Sequence, residues 1–534
     1  MAARNIWAIC WYRGTATLRF PYLRTGDETP RKAASSTVTG TLHLHLSDGR
    51  HENRPVPPSH GCLMPASMIR SFVRTNRVMM MLIAQFADHL SRPVPTAMRR
   101  RAAVHLLDWG GCAVIGAATP VADTLAAVFL DGAGGPCTVI GRAHGASAEA
   151  AARYNGALGN IYEMDDVDKR ARVHPGPIVI PAALALAQAT NAGADALLDA
   201  IVRGYEAVIR LGRALGDGHY RVWHTTASAG TVGAAAACAS LLGLDRDGMA
   251  QAMALAITRT GGLWETRNDP RSSAKQVHNA QAAGDGLLAA RMAAAGLRGP
   301  AQILEGKEGM FAATAPGATP ADLLAGISPA GWCITDVSLK PWPACRHVHP
   351  VIDAALALLS KTGREGLDLR EVRGIAIQTY GDAVRFCDRP APRTVIEAKF
   401  SLQHVVAVSL LHGPPPLSAF DQPMIADPTV TELRSRVKVT VGEPYAGAYP
   451  NQFGARVVVN LSNGDLLVHE QPDALGDPEN PLSIDRTIDK ARSLMQAAGM
   501  EAATIGTLVT ECLELADGRP LPTHWPSRLT GEAA

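Results

Sequence analysis

The rhythm of apolar and polar positions changes near residue 340. Between about residues 79 and 335 the blocks Arg99–Gly116, Ile180–Ala189, Ala196–Gly212, Ala227–Leu242 and Ala282–Ala295 are dense in strong helix formers and show no two-residue alternation. Gly296 closes the last block and Pro300 follows four residues on, a combination that stops a helix. Beyond Trp342, Pro350 stands at a first helical position ahead of an apolar face made by Val351, Ile352, Ala355, Leu356 and Leu359. Strand signals follow. Val437, Val439 and Val441 alternate with Lys438 and Thr440, Arg373–Tyr380 is a further candidate strand, and Arg456–Leu461 and Leu466–Glu470 flank Asn463-Gly464, a strong hairpin signal. Ile484–Ala498 returns to helix.

This pattern predicts a mainly α protein. A large all-helical domain spans 79–335 and is completed by C-terminal helix within 476–515; a smaller α+β domain with an antiparallel sheet spans 336–475. Residues 1–78 mix Arg, Ser, Thr, His and Pro without a sustained period and read as a poorly ordered extension. Their Arg-rich, acid-poor composition leaves an organelle transit peptide as the alternative, while the short apolar stretch Ile6–Trp11 does not suit a signal-peptide core.

Composition narrows the function classes. Hydrophobic residues make up 47% and charged residues 19% of the 534, which suits a globular chain. A net charge of +2 gives no reason to expect nucleic acid or an anionic membrane as partner, so any bound anion must be held by a local cluster. Apolar runs such as Val232–Leu244 fall short of the roughly 20 residues a membrane span needs. Nine cysteines are scattered without a C-x-x-C pair, which fits a reducing cytoplasm. Cys333 and Cys345, the nearest pair in sequence, are too far apart to favour an iron–sulfur cluster of the aconitase kind, so neither metal nor other cofactor is expected.

Four clusters carry candidate chemistry. Glu163, Asp165, Asp166 and Asp168 fall within six residues and are followed by His174-Pro175-Gly176. Such crowded carboxylates suit a solvated acidic turn or, less simply, a divalent-metal site. His224 stands just before the helix-forming run from Ala227, where free backbone N–H groups favour an anion, although a structural hydrogen bond would place it there equally well. Lys275 and His278 share a helix face at i and i+3, suited to holding a carboxylate and moving a proton beside it, or merely to an exposed polar face. Lys340, Arg346, His347 and His349 lie on a proline-stiffened loop that feeds a helix N-terminus. No G-x-S-x-G elbow, Walker loop or dinucleotide fingerprint accompanies them.

In order along the chain, N-G-A-L-G-N (155–160), E-M-D-D (163–166), H-P-G (174–176), P-A-A-L-A-L-A (181–187), K-Q-V-H (275–278), K-P-W-P-A-C-R-H-V-H (340–349) and K-F-S-L-Q (399–403) resemble the MmgE/PrpD family. That family includes 2-methylcitrate dehydratase, cis-aconitate decarboxylase and iminodisuccinate epimerase. The resemblance implies a helical domain with a smaller α+β lid, a cleft between them, a homodimer and a small polycarboxylate substrate. It implies catalytic roles for Asp165, His174 and His224. Substrate-binding roles fall to Lys275, His278, Lys340, Arg346, His347 and His404, and neither His174 nor Lys340 is assigned a role in the core. Glu163, Ala280 and His404 depart from the family's usual pattern where substrate shape would be read. The implied activity is that of a metal-independent lyase, a dehydratase of the 2-methylcitrate type, with decarboxylase or epimerase as the alternative. A non-catalytic carboxylate-binding protein is the alternative of another class.

Overall fold

Helices rich in alanine and glycine can approach one another closely, and the larger of the two main cores depends on it. The computed structural model describes residues 81–521 apart from 133, 270, 329, 330 and 519, together with two short strands, Ile9–Tyr12 and Thr15–Leu18, that pair antiparallel with each other. The rest of the expected extension at 1–78 lies outside the described residues.

Helix Thr225–Leu241 is buried on every side from Thr225 to Ala239. Around it pack Gly176–Thr190, Ala194–Tyr220, Arg246–Ile257 and Ala274–Ala294. Side chains at the crossing points would prevent this. A Cβ on Gly286 would stand 2.4 Å from the Ala234 Cβ and 2.6 Å from the Thr231 carbonyl, and one on Gly204 would stand 2.9 Å from the Gly233 carbonyl. Expected helices are present, with ends extended by up to eight residues: Arg99–Gly116 lies within Thr96–Ala117, and Ala196–Gly212 within Ala194–Tyr220, which is kinked at Gly216. The C-terminal stretch forms two helices, Ile484–Ala497 and Ala502–Glu514, separated at Gly499 with φ 88°. Ala491, Met495, Ile505, Leu508 and Val509 join the first core. Lys490 donates to Asp108 Oδ1 on helix Thr96–Ala117 at 2.6 Å.

A second core runs from Ala344 to Val459. Helices His349–Thr362, with Pro350 in its first turn, and Leu402–His412 contribute to it beside a four-stranded sheet. The strand order is Val437–Val441, Val372–Thr379, Ala455–Leu461, Leu466–Gln471. The hairpin at Asn463-Gly464 is present, with Gly464 at φ 95°. The sheet is not wholly antiparallel as expected, because Val437–Val441 runs parallel to Val372–Thr379. The valine alternation reports a half-buried face but not a direction. The helical crossover from Thr379 to Val437 brings the chain back the same way round. Among the described residues no single helix is long and apolar enough to cross a membrane.

Candidate active site

The acidic stretch is not a solvated turn. Glu163, Asp165, Asp166 and Asp168 are all at most 3% exposed, and two distinct sets of partners hold them. Asp166 takes its backbone-anchoring share: Tyr205 donates its hydroxyl to Oδ2 at 2.7 Å, the Gly176 N–H donates to Oδ1 at 2.8 Å, and His105 Nδ1 lies 2.7 Å from Oδ2. Asp168 pairs with Arg213 and accepts the Ala171 N–H at 2.6 Å. These two residues fix the loop that delivers His174.

Glu163 and Asp165 face the other way. Glu163 adopts φ 58°, an uncommon left-handed conformation for a residue with a side chain. The loop tolerates it because three lysines from distant parts of the chain cap three successive carbonyls. Lys399 donates to Tyr162 O at 3.1 Å, Lys340 to Glu163 O at 2.9 Å and Lys490 to Met164 O at 2.6 Å. The Glu163 side chain also pairs with Lys275, and Asp165 Oδ1 accepts from Asn160 Nδ2 at 2.6 Å and lies 3.3 Å from Lys340 Nζ. Burial pushes both carboxyls up. For Glu163, Lys275 and Lys340 outweigh that push; for Asp165, Lys340 and His174 do, so both carboxyls sit below the ordinary range and stay ionised.

His174 Nδ1 lies 2.7 Å from Asp165 Oδ2. The N–H does not aim squarely at the oxygen, since neither atom has an aligned hydrogen-bond partner, so the contact is a close approach of imidazole and carboxylate. The His174 side chain is 16% exposed, against 1% for Asp165, and it opens onto a cavity of about 320 Å³. Lys275 shares that cavity. Burial lowers its ammonium and Glu163 and Asp165 more than restore it, so it remains charged.

His224 precedes helix Thr225–Leu241 and is fully buried, its Nδ1 3.1 Å from Nδ1 of His278, so one ring donates to the other. Burial, with His278 and Lys275 nearby, pushes His224 well down and favours the neutral ring. Trp264, centred 4.4 Å from the His224 ring, stands on the cavity wall in front of it. On the 340–349 loop, Arg346 donates to Asp477 Oδ1 at 2.5 Å and to the carbonyls of Ala474 and Leu475. His347 shares a 2.8 Å hydrogen bond with the Tyr380 hydroxyl, stacks on Phe453, and is pushed down to about 4 by burial. The basic loop is therefore largely committed to anchoring itself on the 474–477 segment and on Tyr380 and Phe453.

Of the residues singled out in the sequence, Glu163, His174, Lys275, Arg346 and His347 line the cavity. Asp165, Lys340, His224 and His278 form a layer behind it, reaching it through His174, Glu163 and Trp264. His404 belongs elsewhere. It is fully buried in the second core beside Phe420, its Nε2 2.7 Å from the Ala419 carbonyl and its Nδ1 3.2 Å from Arg434, so the expected contact with substrate is corrected to a structural one. Helix Leu402–His412, capped by Ser401, turns His404 inward, while Phe400 just before it meets the cavity.

Missed in the sequence were Arg172, Arg267, Arg385 and Arg389, with the aromatic wall of Tyr220, Phe386 and Phe453. The i, i+4 spacing of Arg385 and Arg389 was the one visible signal among them. Among the described residues one trio of carboxylates is close enough to share an ion, Asp473, Asp477 and Glu479. A protein cation already sits there: Lys169 Nζ is 2.7 Å from Glu479 and 3.5 Å from each of the other two.

A buried carboxylate–imidazole pair facing a cavity with charged lysine beside it is the equipment of an enzyme that moves protons next to carboxylates. Comparison with known proteins agrees. Residues 82–322 match the MmgE/PrpD N-terminal domain and residues 342–515 the MmgE/PrpD C-terminal domain, so the chain belongs to the MmgE/PrpD family. It is similar to the cis-aconitate decarboxylase of Aspergillus terreus, 27% identical over 465 residues that cover 82% of this chain and 94% of that protein. The human cis-aconitate decarboxylase is 29% identical over 64% of this chain and 72% of its own length. The 2-methylcitrate dehydratase of Cupriavidus necator is 26% identical over 44% of this chain and 50% of its own. The protein is an enzyme, a lyase.

Proposed function

We propose that this lyase acts on a small tricarboxylate without a metal ion, and that its reaction is the decarboxylation of cis-aconitate or a close analogue. The observation that carries the reading is the pairing of the cavity-facing His174 with Asp165, a carboxylate that Lys340 and His174 keep ionised against the push of burial. Asp165 fixes the ring of His174 toward the cavity, and in its protonated form that ring can give a proton to carbon. As the bond to the departing carboxyl breaks, its electron pair forms a new C=C. The former π pair moves to the carbon beside a retained carboxylate, and that carbon takes the proton from His174. The negative charge spreads onto the retained carboxylate, where Lys275 stabilises it. Relatives named as decarboxylases that align over most of this chain support the same reading.

The second reading, dehydration of a 2-methylcitrate-like substrate, is favoured by the partial match to a dehydratase of that name. There a neutral His174 would remove the α-proton and a second protonated group would release the hydroxyl as water. Purified protein incubated separately with cis-aconitate, citrate, 2-methylcitrate and iminodisuccinate, with products identified by mass spectrometry, separates the readings. Loss of carbon dioxide from cis-aconitate is the expected result. Loss of water from a citrate alone supports the dehydratase, and no product from any of the four overturns both.

A further inference from the structure

Seven cavity-lining side chains are permanent cations, and they divide sharply by partner. Lys169 is paired with Glu479, Arg172 with Asp217, Lys275 with Glu163 and Arg346 with Asp477. Arg267, Arg385 and Arg389 have no ion-pair partner among the described residues. Arg267 donates to the Arg221 carbonyl at 3.1 Å and leaves a buried NH1 without any partner, and Arg389 spends only its Nε, on the Phe386 carbonyl at 3.2 Å. The carboxylates that line the same cavity are taken: Glu163 by Lys275, Asp269 by Arg271, and Glu397 by the N–H groups of Arg393 and Thr394.

The three free guanidiniums are also gathered. The Arg267 guanidinium carbon lies 4.9 Å and that of Arg385 5.4 Å from the centre of the same Phe386 ring. Arg385 and Arg389 are four residues apart at the end of helix Gly381–Cys387. Arg267 comes from the short 3-10 helix Trp264–Asn268 that precedes Ala274–Ala294. Like charges held on one ring repel, and the Arg267 guanidinium is lowered by burial first and by Arg385 besides. An anion between them relieves that repulsion, whereas an anion at Lys275 must compete with Glu163.

We infer that Arg267, Arg385 and Arg389 form a carboxylate-binding subsite of the cavity around Phe386, separate from Lys275, and tie the helix before residue 274 to the one that ends at 387. The inference rests on the tricarboxylate reading above and deepens it. An arginine fork suits a planar carboxylate, and three of them suit a substrate with more negative charge than Lys275 alone can balance.

The test is calorimetric binding of tricarballylate, a saturated tricarboxylate, to the full chain and to Arg267→Gln, Arg385→Gln and Arg389→Gln. Each variant is expected to raise Kd roughly 10–100-fold, the range for hydrogen bonds to charged groups. Arg385→Lys should keep part of the affinity, and Arg385→Gln should raise KM for an accepted substrate with little change in kcat. Arg385 is exposed, so its variant tests the subsite even if Arg267→Gln proves unstable. Unchanged Kd in all three Gln variants overturns the inference, as does inorganic phosphate binding through these arginines more tightly than tricarballylate. If tricarballylate binding depends on the arginines while the four-substrate panel gives no product, the subsite stands and the proposed reaction falls. If the panel gives product and the variants bind normally, the subsite alone falls.

Discussion

Asp165 Oδ2 lies 2.7 Å from His174 Nδ1 while Oδ1 of the same carboxylate lies 3.3 Å from Lys340 Nζ, so one buried anion serves both the proposed proton donor and the cation behind it. Replacing Asp165 with Asn keeps the shape and removes the negative charge beside the His174 ring. The expected result is a kcat lowered roughly 10²–10⁴-fold, the usual share of general acid–base catalysis. Steady-state kinetics beside a melting curve checks it. A folded Asp165→Asn protein with near-normal turnover would show that His174 needs no charged partner.

Lys340 has a larger structural share than its sequence context suggested. It is fully buried, donates to the Glu163 carbonyl at 2.9 Å and lies 3.7 Å from Glu163 Oε2 as well as near Asp165. Lys340→Ala leaves two ionised carboxylates without a shared cation and one loop carbonyl uncapped. Breaking a buried pair in this way costs about 3–5 kcal/mol. Urea unfolding should show that loss, and a variant as stable as the parent would mean the lysine is not needed to hold the acidic loop.

Acid should weaken the fold before the carboxylates titrate. Burial holds His219, His347 and His404 down to about 4, below the ordinary 6.5. Between those values the unfolded chain carries the protons and the folded chain does not, so stability rises with pH from about 4 to 6.5 and is lost as pH falls through that window. Asp108, raised to about 6 by burial, acts with the opposite sign between 3.8 and 6 and offsets one of the three. His404 is the cleanest probe, because its Nε2–H donates to the Ala419 carbonyl and its Nδ1 faces Arg434, leaving no acceptor for a second proton. His404→Gln should reduce the dependence of unfolding free energy on pH between 5 and 6 by up to about 1.4 kcal/mol per pH unit. An unaltered slope would place its titration outside the window.

Helices and the hairpin were legible because periodicity and Asn-Gly chemistry are local signals, and local signals survived folding here. The parallel pairing of Val437–Val441 was not, since strand direction is decided by a crossover of more than fifty residues. His174, Lys275 and His347 could be picked out from clustering in sequence. The lysine caps on Tyr162, Glu163 and Met164 could not, because Lys399, Lys340 and Lys490 meet only in three dimensions. His404 misled for a related reason. A histidine in a short motif near a site looks like a ligand contact until the helix that carries it shows which way it turns.

The most direct test of the central claim is the turnover of cis-aconitate by His174→Ala, measured beside its melting temperature. His174 is partly exposed and its side chain lines the cavity, while Asp165 keeps Lys340 and Asn160 as partners without it, so the variant should melt close to the parent. Its kcat should fall roughly 10²–10⁴-fold with KM little changed. A folded His174→Ala protein that releases carbon dioxide at the parent rate would contradict the account, because the proton would then come from another group.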